Sequence, residues 1–148
     1  EYIEGKEISI CRNHIADVIL RHYAAAAEAA GIRLDISANL SEIPDVSDMD
    51  LCIIFGNLLE NALEACNGME DGAGHVEIQA EMRGKQLVLQ IQNTYQRDVI
   101  LKEGKYYSTK HSGVGIGLSS VEKVVDKYHG IMRVSFDGII FKVQILLF

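Results

Sequence analysis

Asn57 and Asn61 stand four residues apart in the stretch LCIIFGNLLENALEACN, residues 51–67. On a helix that spacing puts both amides on one side, one turn apart. Asparagine is a middling helix former and gains little from burial, so the pair beside a core face needs either nearby backbone partners or a ligand. A second constellation lies at residues 108–118, STKHSGVGIGL. Gly113, Gly115 and Gly117 alternate and lead into a helix. They let backbone N–H groups approach a guest closely, and the helix dipole favours an anion there. Lys110 and the hydroxyls of Ser108, Thr109 and Ser112 add donors. Phosphate is the natural guest. The glycine spacing is not the GxGxxG of a dinucleotide fold, and no GK[ST] follows as in a P-loop.

These residues need elements to hold them. Leu51, Ile54, Phe55, Leu58, Leu59, Ala62 and Ala65 recur three and four apart, predicting an amphipathic helix over 51–67 that buries that stripe. Ser47 or Asp48 serves as its N-cap. Residues 11–30 read as an earlier helix with Ile15, Val18, Ile19, His22, Ala26 and Ala29 at helical spacing, stopped by Gly31. Residues 32–38, 75–83 and 87–93 alternate as strands, the last two joined by a tight turn at Gly84-Lys85. Asn93 closes the third of them. Residues 94–115 form a long polar stretch read as a lid. A helix over 116–128 turns Leu118, Val121, Val124 and Val125 inward and stops at Gly130. A closing hairpin spans 131–136 and 139–147, turning at Asp137-Gly138. The order predicts an α+β chain: a two-layer sandwich with three helices on one face of a mixed five-stranded sheet.

Composition narrows the classes. The 148 residues read as a single domain, 1–148, with ordinary globular composition. No apolar run approaches the length of a membrane span, so this segment is expected not to enter the membrane. The opening EYIEGKEI has no signal-peptide pattern and no initiator Met, and reads as the start of a fragment of a longer protein. Cys11, Cys52 and Cys66 lack zinc or disulfide spacing and read as reduced thiols. The net charge of −7 argues against nucleic acid, though not against a nucleotide in a locally positive site.

Taken together, NLLENALEA, the strand-ending Gln92-Asn93-Thr94, the segment Tyr106-Tyr107-Ser108-Thr109-Lys110 and the glycine box at 113–118 resemble the Bergerat-fold (GHKL) ATP-binding superfamily. That superfamily includes DNA gyrase, ATP-dependent heat-shock chaperones, MutL and histidine kinases. The chain is most similar to sensor kinases related to the accessory-gene-regulator quorum-sensing receptors. The resemblance covers residues 11–148. It implies an ATP-binding catalytic domain with ATP and Mg2+ as cofactors. Asn61 would ligate the metal, an amide carbonyl being a suitable hard donor. Asn57 would hold a phosphate or a metal-bound water. Asn93 would read the adenine. Thr109, Lys110, Gly113, Gly115, Gly117 and Leu118 would surround the phosphates, with Asn57 and Lys110 the catalytic pair. Glu60 and Glu64 read as solvated helix surface.

The sequence departs from the superfamily at two points. The first glycine box, DxGxG, is absent around the neutral Asn93, which implies modest nucleotide affinity. Asn57 replaces the acid that activates water in the hydrolytic branches, and an amide cannot take a proton near neutral pH. The resemblance therefore implies phosphate transfer to a histidine on a separate dimerisation domain, with a response regulator downstream. His14, His22 and the other histidines here read as structural. The parent would be a homodimeric, membrane-bound bacterial sensor with this domain in the cytoplasm. Two other readings stay open: a degenerate nucleotide-binding or interaction module, and a serine-kinase anti-sigma factor of the same fold.

Overall fold

The computed structural model describes residues 13–40, 45–67, 69–70, 72–95, 99–102, 105–108 and 116–147. The first helix, α1 (His14–Ala29), starts where the Asn13 side chain accepts from the Ala16 N–H at 2.9 Å. It ends at Gly31, in the left-handed region at φ 71°. There the Ile32 N–H reaches the Ala27 carbonyl and the Gly31 N–H the Glu28 carbonyl, the paired bonds of a Schellman stop. The buried stripe of α1 is Ala16, Leu20, Ala24 and Ala27. This corrects the face expected from the sequence: Val18 is half exposed and His22 lies outside. The larger side chains Ile15 and Ile19 flank the seam, while small alanines let the helix approach its neighbours closely.

Strand β1 (Arg33–Asn39) leads by way of α2 (Asp48–Cys66) to β2 (His75–Arg83), and β1 and β2 pair in parallel. A helical crossover is what a parallel pair requires. Strand β3 (Gln86–Thr94) returns antiparallel to β2. Two short strands, β4 (Val99–Lys102) and β5 (Lys105–Ser108), make a separate hairpin inside the stretch expected to be an unstructured lid. Helix α3 (Ile116–Lys127) follows, then β6 (Ile131–Phe136) and β7 (Ile140–Leu147). The main sheet has the order β1-β2-β3-β7-β6. Three helices over a mixed five-stranded sheet match the expected α+β sandwich.

Register explains the core. Alternate residues Leu34 and Ile36, Val76 and Ile78, Leu87, Leu89 and Ile91, and Phe141, Val143 and Ile145 are buried under the helices. From α2 they meet Leu51, Ile54, Phe55, Leu58, Leu59 and Ala62, six of the seven expected positions. Cys66 joins them at the C-terminal end in place of the half-buried Ala65. Leu118, Val121, Val124 and Val125 of α3 complete the layer as expected.

The stop of α3 is a second correction. His129, not Gly130, carries the left-handed conformation, at φ 55°. The His129 N–H bonds to the Asp126 carbonyl and the Gly130 N–H to the Val125 carbonyl, again a Schellman pair. Glycine is needed at 130 for room, because a Cβ there would strike the Leu146 carbonyl oxygen. His129→Gly should therefore raise stability by roughly 0.5–1 kcal/mol, since glycine bears no Cβ penalty at positive φ. Urea unfolding monitored by circular dichroism reads this as a higher midpoint with an unchanged slope.

Candidate functional site

Helix α2 supplies one wall. The Asn57 amide donates through Nδ2 to the Ile53 carbonyl at 2.8 Å, one turn back. That bond fixes which end of the amide is nitrogen and turns Oδ1 toward α3. There it meets Gly117, in the first turn of that helix. A Cβ built on Gly117 would lie 3.3 Å from Asn57 Oδ1. The glycine therefore lets the start of α3 close onto the asparagine.

Asn61 follows one turn later and is partly buried. Unlike Asn57, its amide makes no hydrogen bond to any described residue. Glu60, exposed between them, reaches the phenol of Tyr23 on α1; burial and then the Glu60 charge push that phenol's pKa up. Glu60 thus serves the seam with α1, in keeping with its reading as helix surface.

The other wall is the end of β3. Asn93 is 3% exposed and continues the inward row of Leu87, Leu89 and Ile91. A polar residue in an apolar row requires partners; its Nδ2 donates to the Thr94 carbonyl at 2.9 Å. Thr94, whose role the sequence did not reveal, is a hub. Its hydroxyl accepts from the His75 N–H at 3.0 Å and lies 3.2 Å from the Ala73 carbonyl. The Cys66 thiol at the end of α2 lies 3.4 Å from the Thr94 carbonyl, and burial pushes its pKa up. Cys66 follows Asn61 by five residues, about 7.5 Å along the helix axis. The asparagine pair thus sits further up a helix whose far end is tied to the residue after Asn93.

Leu118 is buried, so only its backbone could serve a ligand. Thr109, Lys110, Gly113 and Gly115 lie outside the described residues, as do His111 and Ser112. Among the site residues expected from the sequence, the structure therefore groups Asn57 with Gly117, carries Asn61 one turn farther along α2, and buries Asn93 beside the Cys66–Thr94 contact that ties the α2–β3 seam.

A network away from this seam holds the helices in place. Asp50, in the first turn of α2, is buried and accepts from Lys127 Nζ at 2.8 Å and from the Tyr128 hydroxyl at 2.5 Å. Those bonds hold its carboxyl below the usual aspartate range. The Ser47 N–H donates to the same tyrosine oxygen at 3.1 Å, and the Ser47 hydroxyl caps the Asp50 N–H.

Residues 46–148 match the GHKL domain family. The chain belongs to that family. Among solved structures it is similar to a mycobacterial sensor histidine kinase, MprB, with TM-score 0.66 and 18% identity over 90% of this chain and 92% of that one. The catalytic domain of the histidine kinase ThkA gives 0.66 and 19%, covering 98% and 95%. The histidine kinase domain of the blue-light activated kinase of Erythrobacter litoralis gives 0.67 and 18%, covering 90% of this chain and 60% of that one. At these identities the likeness establishes the fold. No curated protein matches the chain.

The closeness of Gly117 to Asn57 makes a direct prediction. Gly117→Ala should leave the melting temperature within about 2 °C, alanine's helix propensity offsetting the tight contact. It should displace Asn57 Oδ1, and if Asn57 lines a nucleotide site as the sequence resemblance implies, ATP binding should weaken about tenfold, or about 1.4 kcal/mol, in a calorimetric titration.

Proposed function

We propose that this GHKL domain is the ATP-binding catalytic domain of a sensor histidine kinase, passing the γ-phosphate of ATP to a histidine on a separate dimerisation domain. One observation carries the reading: the amide at position 57. Its nitrogen is bonded to the Ile53 carbonyl, and its oxygen faces the first turn of α3. An amide held this way can orient a phosphate or a water but cannot remove a proton. Transfer to a partner's imidazole needs no such base in this wall, whereas hydrolysis by the acid-dependent route does.

The residues fit magnesium-ATP. Asn61 offers a carbonyl oxygen unclaimed by the described protein, the hard donor that Mg2+ takes alongside phosphate and water. When bound, the metal supplies positive charge against the phosphates. In this reading Asn93 faces the adenine, its Nδ2 bonded to the Thr94 carbonyl and its carbonyl oxygen available to the adenine amine. Lys110 and Thr109, with the backbone from 113 to 118, enclose the phosphates, and positioning does most of the catalytic work. A dimerisation domain carrying the acceptor histidine, and a response regulator after it, are the partners this chemistry calls for; the parent would be a membrane-bound sensor.

The test incubates the full-length parent with magnesium and γ-labelled ATP. The expected product is acid-labile and alkali-stable, as a phosphohistidine is. An acid-stable label would replace this reading with serine transfer. No binding of ATP to the domain at millimolar concentration would leave a degenerate interaction module.

A further inference from the structure

The face of the sheet turned away from the helices carries a second cluster. Asp35, His75 and Glu77 are each partly buried, and one ligand atom from each lies within 4.8 Å of the others. The backbone brings them together. Asp35 and Glu77 are direct partners in the parallel register of β1 and β2, and His75 lies two residues before Glu77 on the same face. His75 Nε2 and Asp35 Oδ2 are 2.8 Å apart.

Two carboxylates directly opposite on neighbouring strands repel each other. Arg33 offsets part of this, its Nε 3.2 Å from Asp35 Oδ2, but its side chain is 63% exposed and free to swing aside. Gln79 takes one oxygen of Glu77 at 3.1 Å. Burial pushes the Asp35 carboxyl up, yet the bonds from His75 and Arg33 outweigh it and keep the group below its usual range, hence ionised.

We propose that Asp35, His75 and Glu77 form a binding site for a borderline divalent cation of the Zn2+ type. One imidazole with two carboxylates suits such an ion; an all-oxygen set would suit Mg2+ or Ca2+. Donors at about 2.1 Å in a tetrahedron are about 3.4 Å apart, so His75 and Asp35 need separate by only about 0.6 Å. Binding replaces the His75–Asp35 hydrogen bond and leaves a coordination place for water; a proton on Nε2 of the neutral imidazole passes by way of solvent to Nδ1, and one proton is released where the ring starts as imidazolium. The cluster occupies the opposite side of the sheet from Asn61. It also shares a backbone link with the seam above, because the His75 N–H holds the Thr94 hydroxyl. The ion would therefore brace β1 against β2, at the residue whose backbone N–H holds the end of β3.

The test titrates Zn2+ into the nucleotide-free chain in a Cys11→Ser, Cys52→Ser background, which leaves the buried Cys66 as the one thiol. Calorimetry should show one saturable equivalent, and Co2+ in its place should give visible absorption bands of a low-symmetry site. His75→Gln and Asp35→Asn should each weaken binding at least about tenfold, with circular dichroism unchanged, and His22→Gln should not. Imidazole resonances of His75 should shift on titration while those of His14, His22 and His129 stay. Equal binding in His75→Gln and the parent background, or the absence of a saturable event, overturns the proposal and leaves a cross-strand ion pair.

Discussion

Asn61→Ala is expected to lower magnesium-ATP affinity about 100-fold, or about 2.7 kcal/mol, while leaving the fold intact or slightly firmer. The two effects separate because the amide of Asn61 makes no bond to any described residue. Removing it deletes no hydrogen bond among the described residues, and alanine improves helix propensity by roughly 0.5 kcal/mol at a partly buried helical position. Isothermal titration with and without magnesium, beside a thermal melt, checks it. The loss should largely disappear when both proteins are titrated with ATP in EDTA. A similar loss in EDTA would move Asn61 from the metal to the nucleotide, and unchanged binding would remove it from the site. Asn57→Ala should behave differently: it also deletes the bond to the Ile53 carbonyl and the surface against which Gly117 packs, so affinity and stability fall together.

That contrast also marks what the sequence could reveal. The stripe of α2 was legible because Leu51, Ile54, Phe55, Leu58 and Leu59 are large, apolar and periodic, and burial rewards them whatever they pack on. Strand alternation and the Asp137-Gly138 turn were legible for the same local reason. The buried face of α1 was not, because its alanines sink by closeness of approach and the bulkier Val18 gave a false stripe. The β4–β5 hairpin lies in residues with weak alternation. For the site, the residue types at 57, 61 and 93 pointed to amide chemistry. The sequence did not reveal that Asn57 is bonded within its own helix while Asn61 is not, because this depends on side-chain direction. Asp35 meeting Glu77, and Asp50 meeting Lys127 and Tyr128, join residues far apart in the chain through strand register and helix packing.

Asp50 carries the other large expected effect. Asp50→Ala should destabilise the domain by about 3 kcal/mol, because a buried carboxylate loses bonds from Lys127 and Tyr128 and the tyrosine hydroxyl loses its acceptor. In a chain of this size that lowers the melting temperature by about 10 °C. The pH dependence follows from the sign of the shift. The folded pKa of Asp50 lies below the ordinary aspartate value of 3.8, chiefly through the bonds from Lys127 and Tyr128. The folded state therefore binds its proton less readily than the unfolded chain. Its contribution is complete well above pH 4 and declines as the pH falls through 3.8 toward the folded pKa. Asp50→Asn, which keeps an acceptor for Tyr128 but no charge, should lose that part of the acid slope and cost less than alanine. Denaturation at pH 7, 5, 4 and 3 reads both variants; equal acid slopes in the Asp50→Asn variant and the parent would refute the charge-based account. The effect should extend to the seam. α2 and α3 run antiparallel, held at one end by Asp50 with Lys127 and Tyr128, and in contact farther along at Asn57 and Gly117. Freeing the first end gives α3 room to tilt about the second, so Asp50→Ala should also weaken magnesium-ATP binding, by less than Asn61→Ala and with no dependence on the metal.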